Sequence, residues 1–357
     1  MRAGQAAKRA AADRTTDRTA EKVAVRAVRR RNAAAAHAAG LVVGVALDAT
    51  FGDPRRWHPV AGYGHAAAAL ERRMYAPNRA AGVRYTAWAV GVPTLAAAFA
   101  TAATRRRPLA RTAVVAALTW AALGGTTLRR EAAAMADALD ADDLPAARAQ
   151  LPHLCGRDPS TLDSAELARA TVESVAENAS DAVVAPLFWG AVAGAPGLVA
   201  YRAVNTLDAM VGHRCERYAE FGTAAARLDD AANLVPARLT AVLTVALAPL
   251  VGGSRWRALW TWLRYGRRHP SPNSGQCEAA MAGALGVRLG GRNVYAGRVE
   301  HRPTLGKGER PSAADIRRAA RLVEAVGSTA AGLAVVWIVG GSLRRSCSRV
   351  SGKTGHR

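Results

Sequence analysis

Glu173, Glu177 and Asp181 recur at four-residue intervals in the string ESVAENASD. On a helix that spacing stacks three carboxylates on one face. The stretch runs straight into the apolar Ala182-Val-Val-Ala-Pro186. A carboxylate row entering an apolar bundle is costly unless a cation meets it, and hard oxygen donors suit Mg²⁺. The plainer alternative is a solvated helix face. A second polar group follows: Asn205 and Asp208 one helical turn apart, Glu216-Arg217, then Arg227, Asp229, Asp230, Asn233 and Arg238. Carboxylates hold a metal ion and guanidinium forks grip phosphate oxygens, so this mixture suits a phosphate–metal site. A salt-bridged amphipathic helix is the competing description.

Two more stretches carry polar chemistry. LDATFGDPRRWHPV gathers Asp48, Asp53 and His58 at the end of an apolar run, with Gly52 and Pro54 forcing a turn. HPSPNSGQCE brings His269, Ser271, Asn273 and Glu278 together, its prolines fixing an extended loop. A small-residue helix follows, whose N-terminal N–H groups could bind an anion. No G-x-x-x-x-G-K-[ST] string occurs, so ATP use is not legible from a standard motif. Cys155, Cys215, Cys277 and Cys347 are scattered with no C-x-x-C pair, which argues for free thiols and against structural zinc.

The elements that must position these groups are apolar. Segments near 33–51, 83–103, 109–128, 182–201, 234–253 and 321–343 each approach the ~20 residues that cross a bilayer core as a helix. Half of the 357 residues are hydrophobic but only 5% are aromatic, a composition for closely packed helices. The spacing predicts an all-α, polytopic membrane bundle of about five or six apolar segments, its site formed by polar connecting helices and loops. Pro186, Pro196, Pro236 and Pro249 predict kinked, re-entrant or partly embedded helices in the fourth and fifth segments. The formal charge of +22 sits in a basic extension over 1–36, in clusters flanking apolar segments such as Arg105-Arg106-Arg107, and in a tail over 346–357. That distribution is characteristic of membrane proteins, and no nucleic-acid-binding signature accompanies it. The membrane domain spans 37–345. If all six segments cross, the polar stretches fall on opposite sides; either two segments fail to cross or the stretches meet at membrane depth.

At these four stretches the chain resembles the adenosylcobinamide-phosphate synthases, the CobD/CbiB family. The matching strings are LDATFGDPRRWHPV, ESVAENASDAVVAPLFW, AYRAVNTLDAMVGHRCERY with FGTAAARLDDAANLVPARLTA, and HPSPNSGQCEAAMAGALGVRLGG, in order over roughly 40–340. The resemblance implies a multi-pass enzyme of the inner (cytoplasmic) membrane that uses ATP and Mg²⁺. It would join a propionate of the corrinoid adenosylcobyric acid to the amine of (R)-1-aminopropan-2-yl phosphate, in contact with the lipid bilayer and other cobalamin-biosynthesis enzymes. It implies metal–ATP work for Asp53, Glu173, Glu177, Asp181, Asp229 and Asp230, with Asp208 beside them. Arg217, Arg227 and Arg238 would bind phosphate, His58 or His269 would accept the ammonium proton, and Asn178, Asn205, Asn273 and Ser271 would hold substrate. The chain has Ala179-Ser180 where the family reads Thr-Val, and Gln276-Cys277 where Trp-Pro is usual; both departures are uncharged. A transporter would spread polar residues along the middle of several segments, and an anchor for other enzymes would not need so many carboxylates and arginines. Here the polar groups cluster at segment ends and connections, as a site open to soluble substrates requires.

Overall fold

Long Ala- and Leu-rich apolar runs favour helix throughout, and the computed structural model is helical almost end to end. It describes residues 25, 28–29, 31–54, 57–213, 215–295 and 298–351, so residues 1–24 of the basic extension and the last residues of the tail lie outside the described residues. Six helical segments are long and apolar enough to cross a membrane: Arg31–Phe51, Arg79–Ala103, Pro108–Asp140, Ser164–Val211, Thr223–Val251 and Ala313–Arg344. They coincide with the six apolar segments of the sequence.

In chain order the helices are α1 (Arg31–Phe51), α2 (Pro59–Met74), α3 (Arg79–Ala103), α4 (Pro108–Ala122), α5 (Gly125–Asp140) and α6 (Leu144–Gln150). Then come α7 (Ser164–Ala179), α8 (Ala185–Val211), α9 (Thr223–Leu247), α10 (Arg255–Tyr265), α11 (Ser274–Leu285) and α12 (Ala313–Ser351). Helix α1 opens inside the stretch expected to be an extension, because its Ala-rich start packs on α4, where the Thr112 hydroxyl donates to the Ala36 carbonyl at 3.1 Å. Between α11 and α12 the chain forms an antiparallel hairpin, β1 (Leu289–Tyr295) and β2 (Arg298–Leu305), a departure from the all-α expectation. A bulge between Leu289 and Gly291 bends β1, with Gly290 at φ 82°, where a side chain would be strained.

A path through α8 decides the architecture. Residues 181 and 205 would stand about 36 Å apart on a straight helix, yet the Asn205 amide donates to the Asp181 carboxylate at 3.3 Å. The chain reverses at Gly194, whose φ of 72° and ψ of −169° belong to a region open only to glycine. Across this bend Leu198 packs against Gly190. Each arm of roughly 12 residues is about 18 Å long, short of the ~30 Å hydrocarbon core. The fourth apolar segment is therefore a re-entrant hairpin, and both of its ends lie at one level. Helix α9, by contrast, continues through Pro236 to Leu247 and ends in a single 3₁₀ turn, Ala248–Val251.

The largest apolar core joins α5, α7, α11, the hairpin and the first half of α12; a second packs α1, α4, the bend of α8 and the second half of α12. Helix α11 is buried along its whole length, as a helix of small apolar residues on every face must be. Outside, Trp88, Val92, Leu95 and Phe99 form an exposed stripe on α3, and Val336 and Trp337 are exposed on α12. Such continuous apolar surface faces lipid.

Candidate functional site

The re-entrant bend returns the chain to its starting level, and a polar cavity of about 240 Å³ forms where the two ends meet α9, α11 and β2. Glu177 enters it from α7, and Ser180 and Asp181 from the π turn Ser180–Val184 that links α7 to α8. Asp208 of α8 and Asp229, Asp230 and Asn233 of α9 complete an acidic wall. A π turn widens the helix by one residue, a distortion recurrent at functional sites. Opposite stand His269, Ser271 and Asn273 of the α10–α11 loop, Ser274 and Cys277 of α11, and Arg302 of β2.

Amide side chains brace the carboxylates. Asn205 Nδ2 donates to Asp181 Oδ2 at 3.3 Å and to Asp229 Oδ1 at 3.4 Å. Asn233 Nδ2 donates to Asp229 Oδ2 at 3.1 Å, and the Tyr201 hydroxyl donates to Asn233 Oδ1 at 2.9 Å. Two carboxylates sharing one amide are held side by side although their charges repel. Glu177 accepts the Ser274 hydroxyl at 2.7 Å, tying α7 to α11. Asn273 donates to the Asp230 carbonyl at 2.9 Å and ties the loop to α9.

His269 is 8% exposed, and its Nδ1 accepts the Ser271 N–H at 3.1 Å. That contact assigns the proton of the neutral ring to Nε2. Burial, and then the nearby Arg302 guanidinium, lower the histidine below its ordinary pKa and keep the ring neutral. His269 thus offers the site an N–H donor rather than a base. Nε2 lies 3.7 Å from Glu278 Oε1, and Arg302 Nη1 lies 4.0 Å from the same oxygen. Glu278 is 1% exposed and neither of its oxygens accepts a hydrogen bond. Its carboxyl is pushed well above the usual range by burial first, then by the negative Glu173 and Glu177.

Several residues singled out from the sequence stand away from this cavity. Glu173 shares a helix face with Glu177, but it is buried in an ion-pair cluster with Arg157 and with Arg169 at 3.3 Å, and it accepts the Gly290 N–H at 2.7 Å. It bolts the hairpin to α7. Asn178 folds back on its own helix and donates to the Ser174 carbonyl at 3.0 Å. Arg217 pairs with Glu71 at 2.9 Å and lies over the Tyr75 ring, holding α2 to the α8–α9 connection. Arg227 is exposed on α9, and Arg238 donates to the Leu234 carbonyl one turn back at 2.8 Å. Asp53 and His58 pair at 3.4 Å between α1 and α2, where His58 Nδ1 caps α2 by accepting the Val60 N–H. Asp48 of the same stretch accepts the Thr126 N–H at 3.2 Å. This first stretch therefore braces the start of α5, which in turn reaches the π turn through the Gly124 N–H and the Ala182 carbonyl, 3.1 Å apart.

The structure adds Arg302 and Ser180 to the cavity, keeps Asn233 of the third stretch in it, and sets Glu278 of the fourth behind it. Glu278 lies in one of the family-like strings, whereas Arg302 has no local motif and reaches the cavity only through the hairpin. No three His, Cys, Asp or Glu side chains among the described residues converge on a single ion position. Mg²⁺ characteristically takes one or two carboxylates and completes its shell with substrate phosphates and water. Asp181 and Asp229, side by side with hard oxygen donors, fit that pattern.

Fold and site together define a polytopic α-helical membrane protein with a carboxylate-rich cavity at the foot of a re-entrant hairpin. Residues 41–323 match the family model described as "CobD/Cbib protein", and the chain belongs to that family. It is 52% identical over 302 residues to the cobalamin biosynthesis protein CobD of Mycobacterium tuberculosis, covering 84% of this chain and 96% of that one. It is 49% identical over 281 residues to the Geobacter metallireducens protein of the same name, covering 76% and 88%. The Rhodobacter capsulatus relative is 44% identical over 289 residues, covering 79% and 91%. No solved structure matches the chain. Its role is in cobalamin biosynthesis.

Proposed function

We propose that the protein joins a propionate carboxylate of adenosylcobyric acid to the amine of (R)-1-aminopropan-2-yl phosphate in an amide bond, with ATP and Mg²⁺, at the cytoplasmic membrane. The observation that carries this reading is the pair Asp181 and Asp229, held together by one amide at the edge of a membrane bundle. A transporter needs polar groups along a path; here they close around one pocket at the level where the hairpin begins and ends.

The chemistry is transfer of the γ-phosphoryl group of ATP to the carboxylate with release of ADP. Attack of the amine nitrogen on the carbonyl carbon follows, which breaks the acyl–phosphate C–O bond and releases inorganic phosphate. Asp181 and Asp229 would hold Mg²⁺, which offsets the charge on phosphate oxygens when bound. Asn205 and Asn233 fix the carboxylate orientations. Glu177 faces the cavity with one oxygen held by Ser274, and it is placed to accept the ammonium proton. Asn273, which lines the cavity, would orient substrate from the α10–α11 loop. At about 240 Å³ the cavity is smaller than the ~300–1,000 Å³ of a typical ligand pocket. It takes the reacting and phosphorylated ends, while the corrin ring stays outside its mouth.

The test is an assay in purified membranes with adenosylcobyric acid, ATP, Mg²⁺ and the aminoalkyl phosphate, following product by mass. A mass gain for amide formation that is lost without ATP supports the ligase. Glu177→Gln is expected to remove turnover while the protein stays folded and inserted. Undiminished activity in that variant excludes Glu177 from proton transfer, and no product from folded wild-type protein overturns the ligase reading.

A further inference from the structure

The cavity has two walls of opposite character. One carries Glu177, Asp181, Asp208, Asp229 and Asp230. Among the described residues that line the cavity, Arg302 is the only Lys or Arg, and it stands on the other wall. Beside it are the Nε2–H of His269 and the N-terminus of α11, a helix of 12 residues. The arginines that the sequence offered for phosphate lie elsewhere, so Arg302 is the guanidinium that an anion entering this pocket meets.

We propose that Arg302, His269 and the first turn of α11 form a phosphate-binding wall, which takes the phosphate of a phosphorylated substrate while the acidic wall faces its cation. The inference rests on the reading that a phosphorylated substrate enters this cavity. Three observations converge on it. A guanidinium is the side chain best matched to phosphate, because its fork meets two oxygens at once. His269 is nine-tenths buried, and its Nε2 has no hydrogen-bond partner although it lines the pocket. The α11 N-terminus adds the positive end of the helix dipole, its Ser274 N–H being held by Ser271 Oγ and its Gln276 N–H by the Asn273 carbonyl.

Glu278 is the positioning residue of this wall. Its Oε1 lies 3.7 Å from His269 Nε2 and 4.0 Å from Arg302 Nη1, close to both donors and hydrogen-bonded to neither. His269 Nε2 can turn from Glu278 to an incoming phosphate without breaking a hydrogen bond. Burial also favours the neutral form of Glu278, which removes a repulsive charge from behind the anion. The hairpin matters for the same reason: the cluster of Arg157, Arg169 and Glu173 fixes β1, and the pairing of Gly291 with Arg302 fixes β2 against it.

The experiment is phosphate binding by the purified full chain in detergent, read by calorimetry with inorganic phosphate and with tripolyphosphate. Arg302→Gln is expected to weaken binding at least tenfold, and Arg302→Lys by less, since a point charge replaces the fork. Arg292→Gln, an exposed arginine on the same hairpin, controls for loss of charge and leaves binding unchanged. Equal affinity in wild type and Arg302→Gln, or no binding of either probe by wild type, overturns the proposal. Thermal unfolding of each variant separates lost binding from lost fold, and Arg302→Lys keeps the test open if Arg302→Gln unfolds. Steady-state assays then separate the sources: a raised KM for ATP assigns the wall to the nucleotide, and a raised KM for the aminoalkyl phosphate assigns it to that arm. Both KM values unchanged with only kcat reduced would overturn it. If no ligase activity exists but phosphate binding still depends on Arg302, the ligase reading fails and the phosphate wall stands.

Discussion

At the residue scale, an evenly spaced acidic stripe divides into two environments. Glu173 is 2% exposed and neutralised by two arginines, while Glu177 and Asp181, four and eight residues on, face the cavity. Spacing showed that the three share a face; it could not show that Arg157 and Arg169 would reach only the first. Glu173→Gln removes the one carboxylate that neutralises two buried guanidinium groups. It is expected to cost about 3–5 kcal/mol of stability, seen as a lowered unfolding temperature together with loss of the hairpin. Asn205→Ala tests the other environment. It removes the shared donor of Asp181 and Asp229, and a support of this kind is worth about 10–100-fold in metal affinity. The Mg²⁺ concentration for half-maximal activity, or direct Mn²⁺ binding, is expected to rise by that factor without change in fold.

At the element scale, the decisive feature is the bend at Gly194. Length and hydropathy describe 182–201 as a crossing, while Pro186 and Pro196 pointed to a kinked, re-entrant or partly embedded helix. The bend exists because Gly194 alone can adopt φ 72° with ψ −169°, and because Leu198 finds Gly190 across it. Gly194→Ala forces a side chain into that region at a cost of about 1–3 kcal/mol. Opening the bend separates Asp181 from Asn205, so activity is expected to fall more steeply than the unfolding temperature. A fall in unfolding temperature with full activity would mean that the hairpin does not hold the site. The β hairpin escaped notice for a different reason. LGGRNVY has no strict alternation, and its two glycines suit a loop as readily as a bulged strand. Its pairing is fixed by Arg169, which donates to the carbonyls of Gly290 and Arg292 from a helix 121 and 123 residues away in sequence.

For the whole molecule, the re-entrant hairpin removes one part of the conflict over sidedness, because it brings the second and third polar stretches to one level. With 182–201 turning back, the chain before α7 and the chain after α8 emerge on one side of the membrane. Asp158, half-buried, precedes α7, and Glu216, exposed, follows α8. In a background with the native cysteines replaced by Ser, Asp158→Cys and Glu216→Cys are expected to react with a membrane-impermeant maleimide from the same face of sealed vesicles. Labelling from opposite faces would mean that α8 crosses. The exposed stripes on α3 and α12 are the surface that makes this a membrane protein rather than a soluble bundle of buried helices.

The sequence by itself determined the helical class, the six apolar segments, the family and most of the acidic wall, since each is written in composition, local period or contiguous strings. Glu177 and Asp181 share a helix face by spacing alone, whereas Asp208, Asp229 and Asp230 join them because the chain turns back at Gly194. Only the tertiary structure decided which polar groups meet and which merely brace. It sent Glu173, Arg217 and His58 into structural pairs, folded 182–201 back on itself, and delivered Arg302 from a hairpin no motif announces. Those outcomes depend on contacts across more than a hundred residues, where the identity of the partner, and not the local pattern, sets the energy.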